Sequence, residues 1–185
     1  MSNIVKIDSA VEAGARALRI LGDGFLDPVP SMMKIKWFNT VEDPYFNFPL
    51  STDTIIPFNV INYNEGESGV INYDIPNKLF YVTENGHYII DVKLHFYDFV
   101  EGMHIQIKLF QRDEFENFGV VSLLYSDTIA AYSISRIFNG SNIHQLFTGS
   151  DYWIAVEIVD INGLKNPYPS EEFGTQCQLI IRRIN

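Results

Sequence analysis

Histidine has the widest chemical use of any residue type in this chain, because it can act as a general base, a proton carrier or a metal ligand. The sequence contains four histidines, His87, His95, His104 and His144. His87, Asp91 and His95 lie at spacings of four residues in a segment that alternates apolar and polar side chains, so they share one strand face. At a rise of about 3.3 Å per residue, successive members lie about 13 Å apart. Because metal–ligand bonds are only about 2 Å long, the spacing predicts a solvated face and no metal site.

The other candidate groups also favour a structural role. Cys177 is the single cysteine and lies among apolar neighbours, which predicts a buried and unreactive thiol. The sequence has no Gly-x-Ser-x-Gly elbow, no phosphate-binding loop and no His-x-His pair, so no catalytic residue is predicted. Acidic side chains concentrate in predicted loops, at Glu65, Glu67, Asp113 to Glu116, Glu171 and Glu172. None of these loops has EF-hand spacing, so solvated loops are the default interpretation.

Composition limits the class of protein and its partners. A chain of 185 residues suffices for one domain that buries about 70% of its extended surface, without disulfides or metal. Its 13 Lys+Arg against 23 Asp+Glu give a formal net charge of −10, which disfavours nucleic acid and anionic membranes as partners. The 46% hydrophobic and 14% aromatic content excludes a disordered chain and favours strands.

Targeting signals are not recognised in the sequence. No run of about 18 apolar residues occurs, so membrane insertion is not expected. Charged side chains interrupt the start of the chain at Lys6, Asp8, Glu12, Arg16 and Arg19. They break the apolar core that a secretion signal needs, so we expect a protein that stays in the cytoplasm or is built into an assembly there.

One helix is predicted near the start of the chain. Ser9 and Glu12 form a capping box, and Gly22 and Gly24 end the pattern. The predicted apolar face consists of small and aliphatic side chains at spacings of three and four, Ala10, Ala13, Gly14, Ala17, Leu18 and Leu21. Such a face either lies on its own domain or serves as an arm that docks on a neighbouring subunit or a larger assembly.

The next segment reads as extended chain. Residues 25–57 contain five prolines, which is typical of punctuated chain rather than of a packed helix or a central strand. Within it, residues 32–38 are predicted to be an isolated strand. The segment also carries three closely spaced aromatic residues, Tyr45, Phe46 and Phe48. These aromatics either pack under the fold or grip a partner. We predict an attachment arm over residues 1–50 and a globular head over residues 51–185.

From residue 55 onward the apolar period changes to two. His87–Asp98 and Met103–Gln111 alternate apolar and polar side chains, which predicts strands with one buried and one wet face. Asp151–Asp160 is apolar on both faces, as in a central or interface strand, and Gln176–Arg183 predicts a final strand. Glu84-Asn85-Gly86 carries the signal of a hairpin turn. The pattern therefore predicts an all-β fold, an antiparallel sandwich or jelly roll.

Two stretches of the head resemble the globular domain of the C1q/TNF-like superfamily. The matching positions are Phe80, Val82, Gly86, Tyr88 and Ile90 in the first stretch, and Gly149 and Trp153 in the second. In the first stretch, Gly86 is expected to supply a positive φ at the turn and the other residues to point into the core. The resemblance covers roughly residues 55–185 and implies an antiparallel jelly-roll sandwich that assembles as a homotrimer.

The resemblance also implies where subunits meet. Since the predicted strand over residues 151–160 is apolar on both faces, we expect it to supply a trimer interface, with Tyr152, Ile154, Val156 and Ile158 as its contacts. Some C1q-like trimers hold calcium near the threefold axis. Calcium is thus the one metal that the resemblance leaves open, and no other cofactor is expected.

These features together predict a non-enzymatic, homotrimeric structural protein. We expect a component of a virus or phage particle, such as a decoration, spike, fibre tip or minor capsid protein. It would be made in the host cytoplasm, and its arm would bind other particle proteins. The rival interpretation is an adhesion module whose head binds a host receptor protein or glycan. An enzyme acting at subunit clefts is the least favoured alternative, because no paired titratable groups are recognisable in the sequence.

Overall fold

Twelve β-strands make up all the regular structure that this computed structural model describes, in residues 31–37, 49–65, 69–160, 168–169 and 177–184. The strands are β1 (Met32–Lys36), β2 (Thr54–Ile55), β3 (Val60–Glu65), β4 (Ile71–Asp74), β5 (Leu79–Val82), β6 (Gly86–Phe99), β7 (His104–Arg112), β8 (Phe118–Thr128), β9 (Ser133–Leu146), β10 (Asp151–Val159), β11 (Tyr168–Pro169) and β12 (Gln178–Ile184). Within these ranges there is no helix that could span a membrane.

The strands form two antiparallel sheets that pack face to face. Sheet 1 has the order β9-β6-β12-β1-β3, and β11 continues the line of β12 along β6. Sheet 2 has the order β4-β5-β10-β7-β8, and β2 continues the line of β5 along β10. This architecture confirms the predicted all-β antiparallel jelly-roll sandwich.

Period-two alternation builds the core between the sheets, as the sequence predicts. The apolar side chains of β6 and β7 that were expected to face inward are all buried: Tyr88, Ile90, Val92, Leu94, Phe96, Ile105, Ile107 and Leu109. Phe80 and Val82 of the resemblance motif are buried with them. One residue on the predicted wet face of β6 differs. His95 is only 4% exposed, so the expectation of a solvated side chain is wrong for this residue.

The predicted interface residues lie in the interior of the protomer. Tyr152, Ile154, Val156 and Ile158 are 0–2% exposed within one chain. Because they face the opposite sheet of their own protomer, they do not form a surface that a second copy could contact. On the outer face of β10, apolar Trp153 and Ala155 lie between the charged Asp151 and Glu157, so only the inner face is uniformly apolar. The strand is central in sheet 2, with β7 on one side and β5 and β2 on the other. A subunit interface must therefore use other residues.

The head begins before residue 51. The segment expected to be an isolated strand is β1, and it pairs with β12 and β3 inside sheet 1. Its Met33 and Ile35 are buried in the common core. The predicted boundary near residue 50 is thus too late, because a strand before it completes the sheet. The predicted helical face (Ala10, Ala13, Gly14, Ala17, Leu18 and Leu21) lies outside the described residues, as do Tyr45, Phe46 and Phe48.

The prediction of a hairpin at residues 84–86 is wrong, because this segment carries the chain from one sheet to the other. It joins β5 of sheet 2 to β6 of sheet 1, and these two strands do not pair. Gly86 starts β6 opposite Leu146 and is not among the glycines with positive φ, so the predicted turn conformation is wrong. Tyr88 holds the crossing in place, because its hydroxyl donates to the Glu84 carbonyl at 2.8 Å. The motif glycine that does need a positive φ is Gly149, at φ 79° in the turn before β10.

Two outermost strands, β8 of sheet 2 and β9 of sheet 1, meet along one side of the sandwich. A Cβ added to Gly140 would lie 2.9 Å from the carbonyl oxygen of Leu124, so a glycine is required for this approach. Asn142 donates to the Ser122 hydroxyl at 3.1 Å across the same seam. The pairing of β8 with β7 shifts register at two places, which are β-bulges.

The seam predicts a sharp difference between two glycine substitutions. Gly140→Ala should lower the free energy of unfolding by about 1–3 kcal/mol, because the added methyl group forces two backbones apart. Gly119→Ala on β8 is the matched control: its Cβ would meet nothing within 4 Å, and it should change stability by less than about 0.5 kcal/mol. Urea unfolding of both variants measures the difference. Equal stability of the two variants would contradict the close approach.

Candidate functional site

A groove of about 690 Å³ lies on the outer face of sheet 2. This volume falls within the range of about 300–1,000 Å³ that is typical of small-molecule sites. The sheet register explains which side chains form the groove. Tyr81 of β5 lies opposite Asp151 of β10, Asp151 lies opposite Arg112 of β7, and Arg112 lies opposite Phe118 of β8. An ion pair is thereby placed between two aromatic side chains.

A row of apolar side chains lies beside the Tyr81–Asp151–Arg112–Phe118 row in the groove. Trp153 is two residues beyond Asp151 on the same face of β10, and it stacks on Phe110 with ring centroids 5.4 Å apart and an interplanar angle of 10°. Leu79 and Ile55 complete this apolar side of the groove. The stacking fixes the plane of the indole before any ligand arrives.

Charged groups in the groove are held by neighbours. Arg112 Nη2 donates to Asp151 Oδ2 at 2.5 Å, and Arg112 Nη1 lies 3.9 Å from Glu116 Oε2. The hydrogen bond and the negative charge of Asp151 raise the pKa of the Arg112 guanidinium. At the other end, Asn77 donates to Asp74 through its side-chain amide at 2.7 Å and its backbone N–H at 3.1 Å. These hydrogen bonds lower the pKa of the Asp74 carboxyl group.

The histidines are not brought together. His87 is exposed, and Asp91 between it and His95 accepts a hydrogen bond from Arg182 at 2.8 Å. His104 links β7 to β8, with Nδ1 3.0 Å from Thr128 Oγ1 and Nε2 3.3 Å from Ser126 Oγ. Burial lowers the pKa of His144. These positions distribute the four imidazoles over separate parts of the fold.

Cys177 is a buried thiol. It is 1% exposed, and burial raises its pKa to about 11. Since the thiolate is the reactive species, this environment does not activate it for chemistry at neutral pH. The position agrees with the unreactive thiol that the sequence predicts.

The described acidic residues do not gather into a metal-binding cluster within one protomer. Among the described residues, no group of three His, Cys, Asp or Glu side chains is arranged to hold a metal ion. The acidic loop at residues 113–116 uses its first carboxylate internally. Asp113 Oδ1 accepts from the backbone N–H groups of Phe115 and Asn117, each at 2.9 Å. Glu67, Glu171 and Glu172 of the other acidic loops lie outside the described part of the chain.

No family model matches the chain, and no curated protein matches it. Solved structures do match: the crystal structures of murine APRIL at pH 5.0 and pH 8.0 each give a TM-score of 0.58, with 8% and 11% identity, and each match covers 84% of this chain and 100% of that chain. The structure of murine APRIL at pH 8.5 gives a TM-score of 0.56 at 10% identity, with 83% and 99% covered.

The fold is a TNF-like jelly roll. The likeness extends over 84% of the chain, and the described part of the chain consists of two antiparallel sheets. At these identities it establishes the architecture, because function within a fold is set by its particular sites. The C1q/TNF-like fold that the sequence motifs imply is therefore confirmed.

Only part of the groove is predictable from the sequence. Trp153 is a motif residue, whereas Tyr81, Arg112 and Phe118 belong to no motif. Alternation does carry a signal, since Tyr81 lies between buried Phe80 and Val82 and must point outward. Which strand lies beside which is a long-range property, so the meeting of these side chains could not be derived from one segment at a time.

The Asp74–Asn77 contact predicts a pH-dependent response. The hydrogen bonds stabilise the ionised carboxylate, so their contribution is present above the ordinary pKa of 3.8 and is lost as the pH falls through the lowered value. Asn77→Ala should raise the pKa of Asp74 towards 3.8, as measured by carboxyl ¹³C NMR titration. Asn117→Ala is the control, since Asn117 binds Asp113 and should leave Asp74 unchanged. An unaltered Asp74 titration in Asn77→Ala would contradict the contact.

Proposed function

We propose that this chain is a non-enzymatic, homotrimeric structural head and that it serves as a component of a virus or phage particle. The observation that carries the trimer is a pair of exposed apolar surfaces on different parts of the protomer. The edge patch lies on β8 and β9 and consists of Val121, Leu123, Ile137 and Ile143. The face patch lies on the outer face of sheet 1 and consists of Met32 and Ile180, which are half-buried, and Ile184, which is exposed. Exposed aliphatic side chains on neighbouring strands are suited to protein–protein contacts.

The two patches suit a closed ring. A threefold interface is heterologous, so each subunit must present one surface to its neighbour on one side and a different surface on the other. The edge patch and the face patch meet this requirement. They lie on strands separated by β6 in the order of sheet 1. The TNF-like architecture supports a ring of three, because the trimer is the assembly that the resemblance implies.

One ion pair on sheet 1 is compatible with assembly. Asp91 accepts hydrogen bonds from Arg182, at 2.8 Å, and from the Ser141 hydroxyl. The ion pair is therefore already formed within one protomer. Covering it does not leave an isolated charge out of water, which is the arrangement that costs most.

The trimer predicts a selective effect of a charge on the edge patch. Ile143 is 56% exposed, so Ile143→Glu should leave the protomer folded and shift native mass spectra from trimer to monomer. Ile75→Glu is the matched control, because Ile75 is also exposed, at 39%, but lies in the turn after β4. It should remain trimeric.

Circular dichroism of both variants separates loss of assembly from loss of fold. A monomeric parent chain at micromolar concentration, or a trimeric Ile143→Glu variant, would contradict the proposed trimer.

Attachment to a particle is assigned to the segment before β1, on its predicted helical pattern with a small-residue face. Small side chains allow another backbone to approach closely, as docking on a particle protein requires. Particles purified from the source organism should then contain the chain in copy numbers divisible by three, as counted by quantitative mass spectrometry. A chain abundant in the cell extract and absent from the particles would overturn this placement and favour a cytoplasmic protein.

A further inference from the structure

We propose that the groove on the outer face of sheet 2 binds a neutral oligosaccharide. Ligand binding is a function additional to the trimeric head proposed above. The groove lies on sheet 2, and the face patch lies on sheet 1. The inference depends on three properties of the groove: exposed aromatic rings, hydrogen-bonding groups that are already oriented, and a local charge that disfavours anions. Each property is supplied by residues from different strands.

The side chains of Phe118 and Tyr81 present flat apolar surfaces that are exposed to solvent. Phe118 is 76% exposed and Tyr81 is 41% exposed. Exposed rings forgo the free energy that burial of their large apolar area would give. A pyranose ring has a face of C–H groups that packs flat against such a ring. Because Trp153 is held parallel to Phe110, its face needs no further ordering to receive a sugar.

The polar groups suit a ligand that carries many hydroxyl groups. A sugar hydroxyl both donates and accepts, so its site needs acceptors beside donors. Asp151 and Arg112 supply one such pair, and Asp74 and Asn77 supply another. Each carboxylate is fixed by its partner and keeps further lone pairs for a hydroxyl donor. The two pairs lie on either side of Tyr81 and Leu79 in the wall of the same groove.

The charge of the groove argues against anionic ligands. It contains one positive group, Arg112, and three negative groups, Asp74, Asp151 and Glu116. The whole chain adds its net charge of −10 in the same direction. Sialylated or sulfated glycans and phosphates would therefore be repelled. A cationic peptide would meet the Arg112 guanidinium between Asp151 and Glu116, whereas neutral hydroxyl groups can use donors and acceptors together.

The groove has a built-in spectroscopic reporter. The chain contains two tryptophans, and Trp37 is buried in the core while Trp153 lines the groove. Titration of the full chain with lactose, cellobiose and N,N′-diacetylchitobiose should therefore change the Trp153 emission in a saturable way. A glycan array of neutral, sialylated and sulfated members identifies the class of sugar, and an Arg/Lys-rich peptide is the cationic probe.

Two phenylalanines provide a matched test. Phe118 lines the groove, and Phe115 in the preceding loop is equally exposed, at 76%, but does not line it. Phe118→Ser should weaken binding of a neutral glycan about 3- to 10-fold, and Phe115→Ser should leave the affinity unchanged. Asp151→Asn keeps the shape of the side chain and should weaken binding as well, because it removes the charge-assisted contact that orients Arg112.

The outcomes are distinct from those of the trimer test. Ile143→Glu should keep the affinity of each groove for a soluble disaccharide and lose only the avidity seen on the array. Neutral glycans bound with the stated loss in Phe118→Ser support the proposal. Absence of saturable binding up to millimolar sugar, binding of the anionic or cationic probes alone, or equal affinities of the Phe118→Ser and Phe115→Ser variants would overturn it, whatever the oligomeric state.

Discussion

The strict alternation of side chains along β10 is the constraint on which both the core and the groove depend. Residues of one parity, from Tyr152 to Ile158, fill the space between the sheets, and those of the other parity face outward. A one-residue slip would exchange the two sets, burying Asp151 and exposing the core. Tyr152 resists such a slip, because its ring stacks on Phe80 and its hydroxyl accepts from the Phe147 N–H at 2.8 Å. The same register that closes the core therefore positions Asp151 and Trp153 in the groove.

Local pattern predicted the fold well where a single strand contains the information. Inward and outward residues of β6 and β7 could be assigned from alternation, since burial follows a period of two. The predictions were wrong where the pairing of a segment depends on a strand that is distant in the sequence. The segment that becomes β1 looks isolated until β12 arrives from the far end of the chain to pair with it. Likewise, Gly86 follows residues typical of a hairpin, and only the sheet order reveals that the chain changes sheets there.

The candidate site was predicted less well for a related physical reason. A run of apolar residues on both strand faces is compatible with a subunit contact and with a central strand, and composition does not distinguish them. In β10 the inner face fills the core, while the outer face combines the covered Ala155 with Asp151 and Trp153 of the groove. Tyr81 alternates with the inward-facing Phe80 and Val82, whereas Arg112 and Phe118 lie outside the predicted strands. Their convergence depends on pairings between strands that are far apart in sequence.

The bulges in β8 have a consequence for the chain before it assembles. Among the described residues β8 pairs with β7 alone, so its other side presents backbone N–H and C=O groups that could template another strand. The two register shifts, near Ile107 and Leu109 of the partner strand, interrupt that row and twist it away from a flat geometry. Irregularities of this kind disfavour edge-to-edge addition of a strand from another copy. A protomer that has not yet assembled therefore has one edge strand whose geometry works against fibril formation.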